Sequence, residues 1–193
     1  MSVWILTQKL SRAEESAITS RTELTLPFDG LPDLSSLANE NDFRRLLEQL
    51  DPEAPPESIQ RKIDRIWPQF TGLALDDVVV VPLPALGEVA IGRICSHYRY
   101  QVGQGGADEH SIAVTWYPKH YKLASFGSYR QAITSPYLPL QEVTDKDMRE
   151  KILVKLPHAY HRLARWKWLL AAIFTLKAIG FLLHSMTQSN PLP

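Results

Sequence analysis

The chain has 193 residues, 45% of them hydrophobic and 22% charged, with 21 Lys and Arg balanced by 21 Asp and Glu. That length suits one domain of about 100–200 residues with an appendage, and the composition excludes disordered, collagenous and disulfide-stapled classes. The single cysteine, Cys95, rules out an internal disulfide and a thiolate zinc framework, and it fits a reducing compartment. The neutral total hides a step: residues 1–150 carry 15 Lys and Arg against 21 Asp and Glu, about −6, whereas residues 151–193 carry six cations and no acid.

The chain opens on VWIL (Val3–Leu6), a short strand, followed by a polar stretch in which residues 13–19 can form about two helical turns. ELTLPF at 23–28 alternates and reads as a strand that Pro27 confines to an edge or an end. After the turn-rich DGLPDLSSL, Asn39 or Asn41 caps a helix whose apolar positions Phe43, Leu46, Leu47 and Leu50 follow i, i+3, i+4, i+7. DPEAPPES breaks it, and Glu57 or Ser58 begins a second helix with Ile59, Ile63, Ile66 and Phe70 on one face. Pro68 is expected to end or bend that helix. Beyond Gly72 the pattern turns to strands: DDVVVVPLP at 76–84, VAIGRICSHYRY at 89–100, SIAVTWYP at 111–118 and PYLPLQEV at 136–143, with the Gly-rich QVGQGGADEH between the second and third. Several short strands around one helical insert predict an α+β fold with a small curled sheet or barrel, not a doubly wound one.

The end of the chain is different. WLLAAIFTLKAIGFLL at 168–183 has nine Leu, Ile or Phe among sixteen residues, distributed round all sides of a helix, with Lys177 as its single charge. An interfacial helix would show a polar face, which is lacking here. The run covers roughly 24 Å, short of a bilayer core of about 30 Å, and the flanks from Trp166 to Met186 extend it to a workable span. Nine large apolar residues contribute about −3 to −5 kcal/mol to insertion, while a central Lys costs about 2.5–3.5. Lys177 lies off-centre and can snorkel, so insertion comes out favourable by a small margin. HRLARWKW before the run is basic and places Trp166 and Trp168 at interface level, and the tail HSMTQSNPLP has neither Lys nor Arg. The positive-inside rule then puts residues 1–165 in the cytoplasm. No cleavable leader is visible in SVWILTQKLSRAEE. The alternative is a buried or oligomer-forming helix. The expected divisions are 1–147 for a recognition domain, 148–165 for a basic juxtamembrane helix or linker, 166–186 for the membrane helix and 187–193 for a tail.

DDVVVVPLPALGEVAIGRICSHYRY resembles the N-terminal, non-catalytic domain that precedes the nuclease in Mrr-like restriction endonucleases. That family shows a Gly-Asp pair (here Asp76-Asp77), a Val-rich strand with Pro, and an hGR(I/V)xGxYxY pattern, read here in Ile91-Gly92-Arg93-Ile94 and His97-Tyr98-Arg99-Tyr100. A following H…V.W is matched by His110, Val114 and Trp116, and a Phe-Ser-Gln-like stretch loosely by Ser125-Phe126-Gly127-Ser128. Trp4, the strand at 24–28, Asp33-Leu34 and the first long helix also fall where the family places similar features. The likeness spans most of residues 1–143 as scattered positions; Ser96-His97 stand where the family often has Gly, and Gly-Ser replaces Ser-Gln after Phe126. The resemblance implies a PUA/EVE-like barrel that holds a flipped or modified base or a nucleotide in an aromatic cleft. The nuclease half is missing from residues 151–193, which have no Asp or Glu.

Tyr98, Tyr100, Trp116 and Phe126 would supply flat walls, with Arg93 and Arg99 for phosphate or stacking. Tyr98 and Tyr100 share a strand face, while Arg99, and Arg93 on an unbroken strand, point oppositely; one pocket using all of them requires a bulge, for which Ser96-His97 is the candidate. The competing reading is half-buried sheet aromatics. His97, His110 and His120 match no metal spacing and read as loop or surface residues, Asp108-Glu109-His110 as a solvated run, GQGG at 103–106 as no phosphate loop, and Cys95 as lacking a base. No enzyme and no cofactor are expected. A domain near −6 lacks the basic surface that duplex DNA usually requires.

These features together predict a membrane-anchored sensor or effector of prokaryotic defence, single-pass in the inner membrane, that binds a modified base, nucleotide or nucleic-acid-derived ligand and can oligomerise. Two alternatives remain: a soluble or peripheral adaptor whose C-terminal helix packs on a protein partner, and a DNA-binding remnant of a restriction system.

Overall fold

The computed structural model describes residues 1–102 and 108–156. The expected membrane segment, with Trp166, Trp168 and Lys177, and the GQGG loop lie outside the described residues. Met1–Lys151 form one compact unit of α+β class.

Its strands are β1 (Val3–Leu6), β2 (Glu23–Thr25), β3 (Val78–Leu83), β4 (Glu88–Ile94), β5 (Arg99–Val102), β6 (Asp108–Trp116), β7 (Tyr121–Lys122) and β8 (Leu140–Glu142). They join in one mixed sheet of order β2-β6-β4-β3-β1-β8, with β5 added on β6 and β7 on β4. Among the described residues only β1 and β3 run parallel; the other pairs are antiparallel. The sheet is strongly curled but stays open, a half-barrel whose path ends at β2 and β8. All six residues of β3 and all four of β1 are buried, so both faces of the sheet centre are covered.

One face carries the main core. Trp4, Leu6, Val79, Val81, Ile94 and Ile112 belong to it, together with the apolar stripes of two helices inserted between β2 and β3. The first, α2 (Glu40–Leu50), is capped by Asn39, whose Oδ1 accepts the Asp42 N–H at 3.1 Å; Phe43 and Leu47 are its buried positions. The second, α3 (Pro56–Gly72), begins on Pro56, where a missing N–H costs nothing. It does not end at Pro68: the ring of Pro68 faces solvent, Gln69 is buried just beyond it and Phe70 packs against the core. Tertiary packing outweighs the roughly 3 kcal/mol that a mid-helix proline costs. The opposite face holds Val78, Val80, Val89 and Ile91, all buried yet outside the main cluster. There the 3-10 segment Leu123–Tyr129 meets β4, and α4 (Arg130–Thr134) meets β3. A short α1 (Arg12–Ser16) after β1 opens on a Ser11–Glu14 capping box, and α5 (Lys146–Leu153) crosses the expected 147/148 division.

Candidate functional site

The expected strand 89–100 is two strands with an interruption. Ile94 pairs with Val114 and Arg99 with Ser111, so four residues on one side oppose two on the other. The bulge at 95–98 is therefore real, and Ser96 stabilises it by accepting the Ala113 N–H on its hydroxyl at 2.8 Å. Below the bulge β6 passes between β2 and β5, and above it β6 pairs with β4.

The bulge delivers Tyr98 and Tyr100 to the core face, beside His110. The two tyrosine rings lie 5.7 and 5.3 Å from the imidazole by centroid. His110 is not a loop or surface residue as expected; it is 1% exposed, because His110, Ile112, Val114 and Trp116 alternate along β6 onto the core side. Its Nε2 lies 2.9 Å from the Leu31 carbonyl, which can only accept, so the hydrogen sits on Nε2. Nδ1 lies 2.6 Å from the Tyr98 hydroxyl, which donates to it and accepts the Leu34 N–H at 3.2 Å. The chain of bonds pins the 31–34 loop to the sheet. Burial, aided by the nearby Asp33 carboxylate and by Tyr100, outweighs the Leu34 bond and pushes the Tyr98 phenol up to about 12. Phe70 stands edge-on to Tyr98 at 5.1 Å and Phe28 edge-on to His110 at 5.8 Å, so protein rings occupy the stacking positions around this pair.

The other expected residues do not converge there. Arg93 lies opposite Val78, on the second face of the sheet, and pairs with Asp76 at 3.1 Å. Arg99 points outward to Glu23 at 2.7 Å. Trp116 is on the core side but its indole N–H is committed to the Arg21 carbonyl at 2.7 Å. Phe126 is fully buried in the 3-10 segment, outside the main cluster. A bulge between Ile94 and Arg99 cannot carry Arg93, which precedes it, across the sheet, and so the six form no single pocket.

Two buried carboxylates have structural roles that the sequence reading did not assign. Asp77 is 3% exposed and accepts three hydrogen bonds: the Ser2 N–H at 2.6 Å, the Trp4 indole N–H at 3.1 Å and the Ala74 N–H at 3.2 Å. Glu15, 2% exposed, accepts the Ala85 and Leu86 N–H groups at 3.2 and 3.1 Å, holding the β3–β4 turn. The resemblance marks Asp77 without its role, and the Ala-Glu-Glu-Ser run gives no sign of Glu15; only the tertiary fold buries these two side chains. His120 pairs with Glu88 at 3.1 Å, and among the described residues no group of three His, Cys, Asp or Glu is arranged to hold a metal.

A concavity lies elsewhere, between the outer face of α3 and the segment preceding β8. It is an open groove of about 730 Å³ lined by Ser58, Arg61, Lys62, Asp64, Arg65, Tyr137 and Leu138. A second hollow of about 360 Å³ shares Lys62 and Arg65 and includes Asp29 and Asp51. Tyr137 is 91% exposed in the sequence Pro136-Tyr137-Leu138-Pro139, and the Gln141 carboxamide oxygen accepts its N–H at 2.9 Å.

Comparison with family models, with curated proteins and with solved structures finds no match to this chain.

Proposed function

We propose that the chain is a non-catalytic recognition protein of prokaryotic defence, with a PUA/EVE-like head in the cytoplasm that binds a nucleotide or nucleic-acid-derived ligand and a C-terminal helix anchored in the inner membrane. The observation that carries it is the step near residue 150, where an acidic head gives way to a cation-flanked apolar run with Trp166 and Trp168 at its entry. Among the described residues no helix is long and apolar enough to cross a membrane, so the anchor rests on the sequence of 166–186.

Local geometry supports kinship with the Mrr-like N-terminal domain. Asp76 stands at the Gly of the family's Gly-Asp pair and has φ +70°, the left-handed region that Gly adopts freely and Asp tolerates. Asp77, the Asp of that pair, is the buried three-bond anchor. Gly92 pairs with Trp116, and a Cβ on it would lie 2.4 Å from Val114 Cγ1 and 3.0 Å from Trp116 Cε3. The hGR and V.W elements thus depend on one close approach between β4 and β6.

The test is extraction of membranes from cells expressing the full chain. Retention through alkaline carbonate and release by detergent is the expected result. Release by carbonate overturns the anchor and leaves the adaptor whose helix packs on a protein partner. If the chain also acts as an effector, its expression depolarises the cells, and Lys177→Leu changes that effect without changing retention.

A further inference from the structure

Five of the 15 Lys and Arg in residues 1–150 are ion-paired among the described residues. Arg21, Arg44, Arg45, Arg93 and Arg99 each meet a carboxylate. Among the described residues Arg61, Lys62 and Arg65 make no ion pair, although the domain carries about six more acids than bases. Arg61 instead donates its Nε–H to the Glu57 carbonyl, and Asp64 between them accepts from Gln60 at 2.7 Å. Arg61 and Arg65 are four apart and Lys62 and Arg65 three apart, so like charges adjoin on one helix, an arrangement that costs about 0.2–0.5 kcal/mol per pair and does nothing for the helix itself.

Across the groove, Tyr137 is held in water. Pro136 and Pro139 restrict the backbone on both sides, and the Gln141 side chain accepts the Tyr137 N–H and, at 3.4 Å, the Leu138 N–H. The ring gains no burial from this placement, so folding does not account for it. Three unpaired cations facing a rigidly presented, solvent-exposed aromatic ring in a groove of about 730 Å³ match the two needs of a nucleotide: charge neutralisation for phosphate and a flat face for the base.

Resting on the reading of the chain as a recognition protein, we infer that this groove is its ligand site: Arg61, Lys62 and Arg65 bind the phosphates of a nucleotide and Tyr137 stacks its base. The site lies apart from the aromatic cleft that the sequence suggests. Asp64 reduces the local charge to about +2 and Ser58 adds a hydroxyl, which suits a small anion better than a long phosphate backbone.

The experiment is calorimetric titration of the detergent-solubilised full chain at low salt with the four ribonucleoside triphosphates, their monophosphates, inorganic pyrophosphate and a twelve-residue oligothymidylate. At least one nucleotide should bind more tightly than pyrophosphate. The triple variant R61Q/K62Q/R65Q should weaken that nucleotide by at least about tenfold, and Tyr137→Ala should weaken it by about tenfold while leaving pyrophosphate unchanged. Circular dichroism melting of each variant checks that the fold is retained. The inference is overturned if no nucleotide binds, if binding survives the triple substitution, if Tyr137→Ala has no effect (a simple phosphate site), or if only the oligothymidylate binds (a strand reader). Membrane retention is independent of all these outcomes, so failure of the groove and failure of the anchor are distinguishable.

Discussion

The Tyr98–His110 pair and the outer face of α3 use polar side chains in opposite ways. At the first, every hydrogen-bonding atom is committed: Leu34 N–H to the phenol oxygen, the phenol to Nδ1, and Nε2–H to the Leu31 carbonyl, under the rings of Phe28 and Phe70. At the second, three cations make no ion pair among the described residues and an aromatic ring stands 91% exposed. A buried polar network is stable only when fully satisfied, and full satisfaction leaves nothing for a ligand. Aromatic and basic residues therefore mark a binding site only where the fold leaves them unsatisfied.

The committed group should be costly to disturb, and the largest effect is expected at Asp77, which serves the fold in the same way. Asp77→Ala strands the Trp4 indole N–H and the Ser2 and Ala74 N–H groups next to the β1–β3 pairing. A loss of about 3 kcal/mol or more in urea unfolding is expected; a loss below about 1 kcal/mol would mean that water replaces the carboxylate and that the network is not structural.

Next comes Tyr98→Phe, which leaves buried His110 Nδ1 and the Leu34 N–H without the phenol and should cost about 1–3 kcal/mol. The pH dependence follows from the same group. Its folded value, about 12, lies above the ordinary 10.0, so its contribution is complete below pH 10.0 and is lost as pH rises from there towards 12. Wild-type chemical stability should fall more steeply through that window than that of Tyr98→Phe. Parallel curves would show that the phenol is free to ionise and break the contrast between the two regions.

How much of this was legible depended on whether local pattern and tertiary environment agreed. β1 falls on VWIL, Asn39 caps α2, and the Val-rich run is β3, because burial on both faces leaves a continuous apolar stretch. Leu50, the fourth position of the α2 stripe, is 49% exposed because the stripe outruns the core at the helix end. β7 and α4 arise in residues 117–135, where no periodicity signals them; β7 exists because Tyr121 and Lys122 pair with Val89 and Glu88. His110 was recoverable from the alternation along β6. The groove was not: Arg61, Lys62 and Arg65 look like any solvated helix face, and residues 136–139 look like the start of a strand that in fact begins at Leu140. Only the loop's geometry shows Tyr137 standing clear of the core.

The smallest expected effect is the sharpest on the contrast itself. Tyr137→Ala removes a ring that is 91% exposed and whose hydroxyl has no partner, while the backbone bonds to Gln141 survive the change. Its stability should therefore stay within about 0.5 kcal/mol of wild type by urea unfolding, the range of ordinary surface substitutions. A loss above about 1 kcal/mol would mean that the ring contributes to the fold through contacts with the α3 face. Tyr137 would then belong with Tyr98, among residues held by structure, and the groove would lose the one wall that distinguishes a nucleotide from a bare phosphate.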